Sequence, residues 1–116
     1  MSHPLRTRFV GPAAVIDLEG DLSHESEAAL LTALHDAHVA PRTFLLLNFK
    51  DCGYINSAGI SVLVSIIAEN RDGAHRLLAC SLSPHYQKIF RMVGLGPFLP
   101  IYEDETAALQ AIEDTH

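Results

Sequence analysis

Residues 54 to 63 read YINSAGISVL, and their small and polar members interrupt two apolar runs. Ser57 is the residue there with chemistry to offer: as a nucleophile, as a helix cap, or as part of a docking surface. A nucleophilic serine of the hydrolase kind sits on a sharp turn between a strand and a helix, and INSAG lacks the first glycine of GxSxG. It also needs a base, and no histidine can be assigned that role. His75 and His85 read as ordinary residues at the starts of elements. GLG at 94 to 96 follows a helix rather than opening one, so it reads as a helix stop and not as a dinucleotide site. A phosphoacceptor aspartate at a strand end would need an acidic cluster; Asp51 is the sole candidate and reads as a loop acid. These residues predict a protein that is not an enzyme.

The seven histidines raise the question of a metal. His35 and His38 in LHDAHVA can share a helix face at i,i+3, but no further ligands stand at recognisable spacing. Both fall near a helix end, where histidine is favoured in any case. No metal or other cofactor is expected. Cys52 and Cys80 lie far apart without a CxxC pairing, which fits a reduced thiol pair better than a disulfide. Cys80 ends an apolar run and reads as a small buried hydrophobe.

The elements that must position Ser57 follow from patterning. A chain of 116 residues, 48% hydrophobic, predicts one domain over 1–116 with a core of its own. LRTRFV (5–10) alternates as a half-exposed strand, Gly11-Pro12 punctuates it, and AAVIDLEGDL (13–22) is its hairpin partner. Ser23 reads as an N-cap, with Glu25 and Glu27 in the first turn. Ser26 is not expected to reach back to it as a capping-box glutamate would. A helix then runs to Val39, ended by Pro41. TFLLLNF (43–49) is a continuous apolar run that suits a strand covered on both faces, and KDCGY reads as the loop after it. SAGISVLVSIIAEN (57–70) is a helix with Ile60, Leu63, Val64 and Ile67 as its apolar stripe. HRLLACSL (75–82) is a buried strand, and Ser83-Pro84 opens a helix that stops at Gly94. Pro100 marks FLPIY as an edge strand, and an amphipathic helix closes the chain. The order β-β-α-β-α-β-α-β-α implies an α/β fold with a mixed, mainly parallel sheet.

Net charge is −6, with 8 basic residues scattered among 14 acidic ones. That balance speaks against nucleic acid and against anionic membranes as partners. No apolar run approaches the roughly 20 residues that span a bilayer. MSHPLRTRFVG lacks a signal peptide's apolar stretch, so a cytoplasmic location is expected.

With this order in place, LEGDL, LNFKDCGYINSAGISVL and FRMVGLGPFLPIYEDETAAL together resemble the STAS domain from about residue 5 to 113. That family includes bacterial anti-sigma factor antagonists and the cytoplasmic tails of sulfate transporters. The resemblance implies a STAS (SpoIIAA-like) fold and a signalling module that binds an anti-sigma factor or an ATPase-fold Ser/Thr kinase. It places the partner surface at residues 53–62, with Gly53, Tyr54, Asn56, Ser57, Ala58, Gly59 and Ser61 as its members. In the antagonists the third position of Asn/Asp-Ser-Ser/Thr-Gly is a serine or threonine that is phosphorylated. Here Asn56 stands at the acidic first position, and Ala58, without a hydroxyl, at the phosphoacceptor. Ser57 is then either an alternative acceptor or, as its position favours, the N-cap of the helix; Asn56 takes the cap if the helix starts one residue earlier. Tyr54 is either an anchor for the partner or core filler at a strand end. Two further roles stay open: a subunit of a lipid or anion transport system, and a scaffold that is never phosphorylated. A homodimer is compatible with each.

Overall fold

The computed structural model describes residues 5–39, 44–70 and 76–115. Strands β1 (Leu5–Val10), β2 (Ala13–Leu22), β3 (Phe44–Ile55), β4 (Arg76–Cys80) and β5 (Ile101–Tyr102) form one sheet in the order β1-β2-β3-β4-β5. The hairpin β1–β2 is antiparallel and the other pairings are parallel. Helices α1 (Glu27–Val39), α2 (Ser57–Glu69), α3 (Pro84–Met92) and α4 (Glu105–Thr115) alternate with the later strands, and a 3-10 turn at His24–Ser26 precedes α1. The element order is the one the patterning predicts. Pro41 and His75 lie outside the described residues, as do the side chains of His35 and His38.

Strand alternation divides the core in two. Ala14, Ile16, Leu18, Leu45, Leu47, Phe49, Leu77 and Ala79 face α1, α2 and α3, which contribute Leu30, Leu63, Ile66 and Phe90. Ala13, Val15, Phe44, Leu46, Leu78 and Cys80 face α4, which contributes Ala108 and Ile112. A run such as FLLL in β3 is apolar at every position because both faces of a central strand are covered. Each fully buried leucine there is worth about 1.5–3 kcal/mol of transfer free energy. The thiol of Cys80 is wholly buried, and burial pushes its pKa up to about 11.

The α4 face also holds a polar network that patterning did not announce. Arg8 donates through Nε and one terminal nitrogen to both oxygens of Asp17, at 2.7 and 2.8 Å, and to Glu105 at 2.6 and 3.2 Å. Asn48 donates to Asp17 at 2.8 Å, and its Oδ1 accepts from the Cys80 thiol at 3.5 Å. The Arg8 guanidinium holds the Asp17 carboxyl below the usual carboxylate range. The first turn of α4 is thereby tied to the hairpin.

Some local expectations are corrected. KDCGY is not a loop: β3 continues through it to Ile55, because β2 is long enough to offer a pairing edge up to Leu22. Asp51 is accordingly an exposed strand residue opposite Glu19, not a loop acid. Ser26 does reach back, its hydroxyl accepting from the Ser23 backbone N–H at 3.1 Å. The tight 3-10 turn, closed by Ser26 N–H to the Ser23 carbonyl at 2.9 Å, brings the short side chain within range. The stripe read for α2 is corrected as well: its buried residues are Gly59, Val62, Leu63 and Ile66, with Ile60 and Ile67 half-buried at the flanks, and Val64 is 48% exposed, because the helix seats the face beside the expected one on the sheet. Ser83 Oγ accepts from Tyr86 N–H with Pro84 at the first helical position. Gly94, at φ +81°, lets the Gly94 and Leu95 amides return to the Arg91 and Phe90 carbonyls and close α3. β5 is the edge strand that Pro100 implied.

Candidate functional site

The site begins where β2 ends. Between Asp17 and Leu22, β3 carries two more residues than β2, so the register slips twice and β3 is bulged at each place. A side chain meets the freed backbone at both slips. Asn48 Oδ1 accepts from Lys50 N–H at 3.1 Å. Asp21 Oδ1 accepts from Tyr54 N–H at 2.9 Å. A Cβ at Gly53 would stand 2.5 Å from that same carboxylate oxygen, which would have to swing aside. On its other side, the Ile55 N–H donates to the Tyr86 hydroxyl at 3.1 Å. The last residues of β3 are thus held from β2 on one flank and from α3 on the other.

That hold aims the next residues. Ile55 is buried, while Tyr54 points out with 76% of its surface exposed, so it is not core filler. Asn56, in extended backbone, caps α2: its Oδ1 accepts from Gly59 N–H at 2.8 Å and its carbonyl accepts from Ile60 N–H at 3.0 Å. Ser57 is therefore the first helical residue and not the cap, because the helix starts one residue earlier than the favoured reading placed it. Its hydroxyl lies exposed. Ala58 is half-buried, and Ser61 is exposed one turn further on. Gly59 faces inward; a Cβ there would collide with the backbone carbonyl of Leu22, which cannot move aside. Gly59 is thus required for close approach, while Gly53 lies exposed beside Tyr54.

The exposed face of α2 has an uncommon composition. Ser57, Ser61, Val64 and Ala68 face solvent, and the helix has no charged residue before Glu69. Surface helices usually turn charge outward. Beside the site, a cleft of about 250 Å³ separates the free edge of β3 from the start of α3, with Lys50, Cys52 and Tyr86 in its wall. Burial, then the nearby Asp21 carboxylate, push the Cys52 thiol up to about 11, so it is protonated at neutral pH and a poor nucleophile. His85 is exposed at the start of α3, its ring edge-on to Tyr86 at 4.9 Å. Among the described residues no three His, Cys, Asp or Glu side chains are placed to hold a metal ion, and no helix is long and apolar enough to cross a membrane.

A sheet of this order, with an asparagine-capped helix springing from a bulged central strand, now has independent support. The STAS domain family model matches residues 5–108. The chain belongs to the STAS domain family. Its sequence is 22% identical over 100 residues to the anti-sigma F factor antagonist of Paenibacillus polymyxa, covering 85% of this chain and 86% of that protein. Its fold is that of the anti-sigma factor antagonist SpoIIAA in its unphosphorylated form, at a TM-score of 0.72 and 21% identity over 95% of this chain and 98% of that one. It is equally that of a sulfate transporter family protein from Wolinella succinogenes, at a TM-score of 0.76 and 14% identity over 91% and 88%. The STAS fold is therefore shared by relatives of unlike roles.

Proposed function

We propose that this chain is an anti-sigma factor antagonist: a STAS module that binds an anti-sigma factor, or a related ATPase-fold kinase, through residues 53–62. The observation that carries this reading is the start of α2. Its backbone is fixed by Asp21, Asn56 and Tyr86, while Tyr54, Ser57 and Ser61 are turned outward. A surface held in its bound shape before encounter loses little entropy on docking. The antagonists named among its relatives favour that role over a transport subunit, which would offer the same surface.

Ala58 sets the regulation. Phosphorylation at this position would add about −1.5 to −2 charges to a surface that must fit flush against a partner. An alanine cannot accept it, and the surface stays in its binding-competent form. The hydroxyl of Ser57, released from capping by Asn56, is the acceptor that remains beside it. The chain is read as a binding module and not an enzyme, with the partner as its only ligand.

The test is affinity capture from the lysate of the native cell with the wild-type chain and Ala58→Asp. Capture of an ATPase-fold kinase or anti-sigma factor by the wild type alone supports the reading. Capture of membrane transport components points to the transport role, and equal capture by both chains removes residue 58 from the interface. Incubation of the captured kinase with ATP then separates a phosphorylated Ser57 from a scaffold that takes no phosphate.

A further inference from the structure

Asn48 is a polar side chain only 9% exposed, on the α4 side of β3. Its Nδ2 donates to Asp17 at 2.8 Å and lies 3.5 Å from Glu105, while its Oδ1 takes the Cys80 thiol at 3.5 Å. Those bonds clamp the amide in one orientation. The same Oδ1 accepts from Lys50 N–H, two residues on, at 3.1 Å. That is an Asx turn, in which a side chain stands in for a backbone partner and draws the chain out of its ladder. It falls at the first register slip, where Asp17 pairs with Asn48 but Glu19 pairs with Asp51. The slip decides what reaches the surface. Strand side chains alternate, so one residue more or less turns all that follow to the other face. With both slips in place Leu22 stands opposite Ile55, which is buried, and Tyr54 is 76% exposed. Without the first, β3 moves back one place: Tyr54 stands opposite Leu22, and Ile55 leaves the core.

We infer that Asn48 is a positioning residue for the partner surface: its side chain holds the first bulge and so sets the phase in which β3 delivers Tyr54 outward and Ile55 inward. This rests on the proposed partner-binding role of residues 53–62 and adds what keeps that surface in register. A buried side chain on the α4 side does not touch the partner, so its effect on binding passes through β3. Arg8 differs. Without it Asn48 still donates to Asp17, and the turn to Lys50 is untouched. Stability and recognition therefore separate within one network. Asn48→Asp separates them again, since a carboxylate keeps an acceptor for Lys50 N–H but meets Asp17 with like charge.

The experiment compares the wild-type chain with Asn48→Ala, Asn48→Asp and Arg8→Met. It reads the thermal midpoint, the affinity for the partner captured by the wild type, and the backbone amide NMR signals of residues 50–59. Ala58→Asp is included to test the surface itself. The expected result is a loss of tenfold or more in affinity for Asn48→Ala, with its signals at 54–56 displaced. Arg8→Met should melt earlier yet bind within twofold, with those signals in place. Asn48→Asp should also melt earlier but bind within threefold. Should Asn48→Asp not fold, Asn48→Ala set against Arg8→Met decides. If Asn48→Ala binds as wild type with its signals in place, Asn48 serves stability only and the inference falls alone. It falls likewise if affinity simply follows the midpoint across the variants. If the wild-type chain captures nothing, or Ala58→Asp binds as tightly, the proposed function falls. The amide signals then decide for Asn48: displacement in Asn48→Ala and not in Arg8→Met upholds its hold on β3, and any other pattern overturns it.

Discussion

Two polar regions lie on opposite faces of the sheet and are built to opposite ends. Under α4, side chains from five elements satisfy one another: Arg8, Asp17, Asn48, Cys80 and Glu105. At the start of α2, side chains from β2, α3 and the cap instead tie down the backbone, while Tyr54, Ser57 and Ser61 stay outward. The first region pairs its charges with one another; in the second the Asp21 carboxylate binds backbone, and the outward side chains are uncharged. The contrast separates a cluster that holds the fold from one that can meet a partner. Titratable groups alone would have singled out the α4 face.

The largest effect is expected where neither region is touched. Leu46→Asp puts an unpaired charge between β3's neighbours under α4, at a cost of several kcal/mol that exceeds the usual margin of stability. The variant should be unfolded by circular dichroism. Gly59→Ala sharpens the comparison, since its Cβ meets the Leu22 carbonyl. A loss of about 1–3 kcal/mol in denaturant unfolding is expected, and a neutral result would mean that α2 is not seated so closely on β2.

Taking Arg8 out of the α4 network should cost stability and nothing else. Arg8→Met removes the cation from between Asp17 and Glu105, with Asn48 still donating to Asp17, at about 1–2 kcal/mol once partial exposure is allowed for. Partner affinity should not change. The same network has a pH signature. The carboxyl pKa of Asp17 is lower in the folded chain than in the unfolded one, so its stabilisation is complete above the unfolded value near 4. It is lost as pH falls through the lower folded value. Asp17→Asn should therefore flatten the acid limb of stability against pH, and an unchanged limb would place acid sensitivity elsewhere.

Much of this was legible in the chain before folding. Hydrophobic period located the strands and helices, because FLLL, IDL and Leu30 of α1 carry their burial locally. The motif INSAG marked the site for the same reason: a cap and a small-residue turn are short-range chemistry. What could not be read were bonds between residues far apart in the chain. Asp21 reaches Tyr54, Tyr86 reaches Ile55, and Arg8 reaches Glu105 across 97 positions, and none leaves a pattern at its own position. The extension of β3 through KDCGY was missed because its pairing depends on the length of β2, and its two bulges disrupt the alternation that would have marked it.

The account rests on residue 58 being part of a surface and not part of the core. The most direct test compares Ala58→Asp with the wild-type chain for thermal midpoint and for affinity to the captured partner, on the same preparations. A carboxylate in the first turn of α2 suits the helix dipole, so the midpoint should move by no more than a degree or two while affinity falls tenfold or more. A variant that melts as the wild type does and binds as tightly would contradict the central claim.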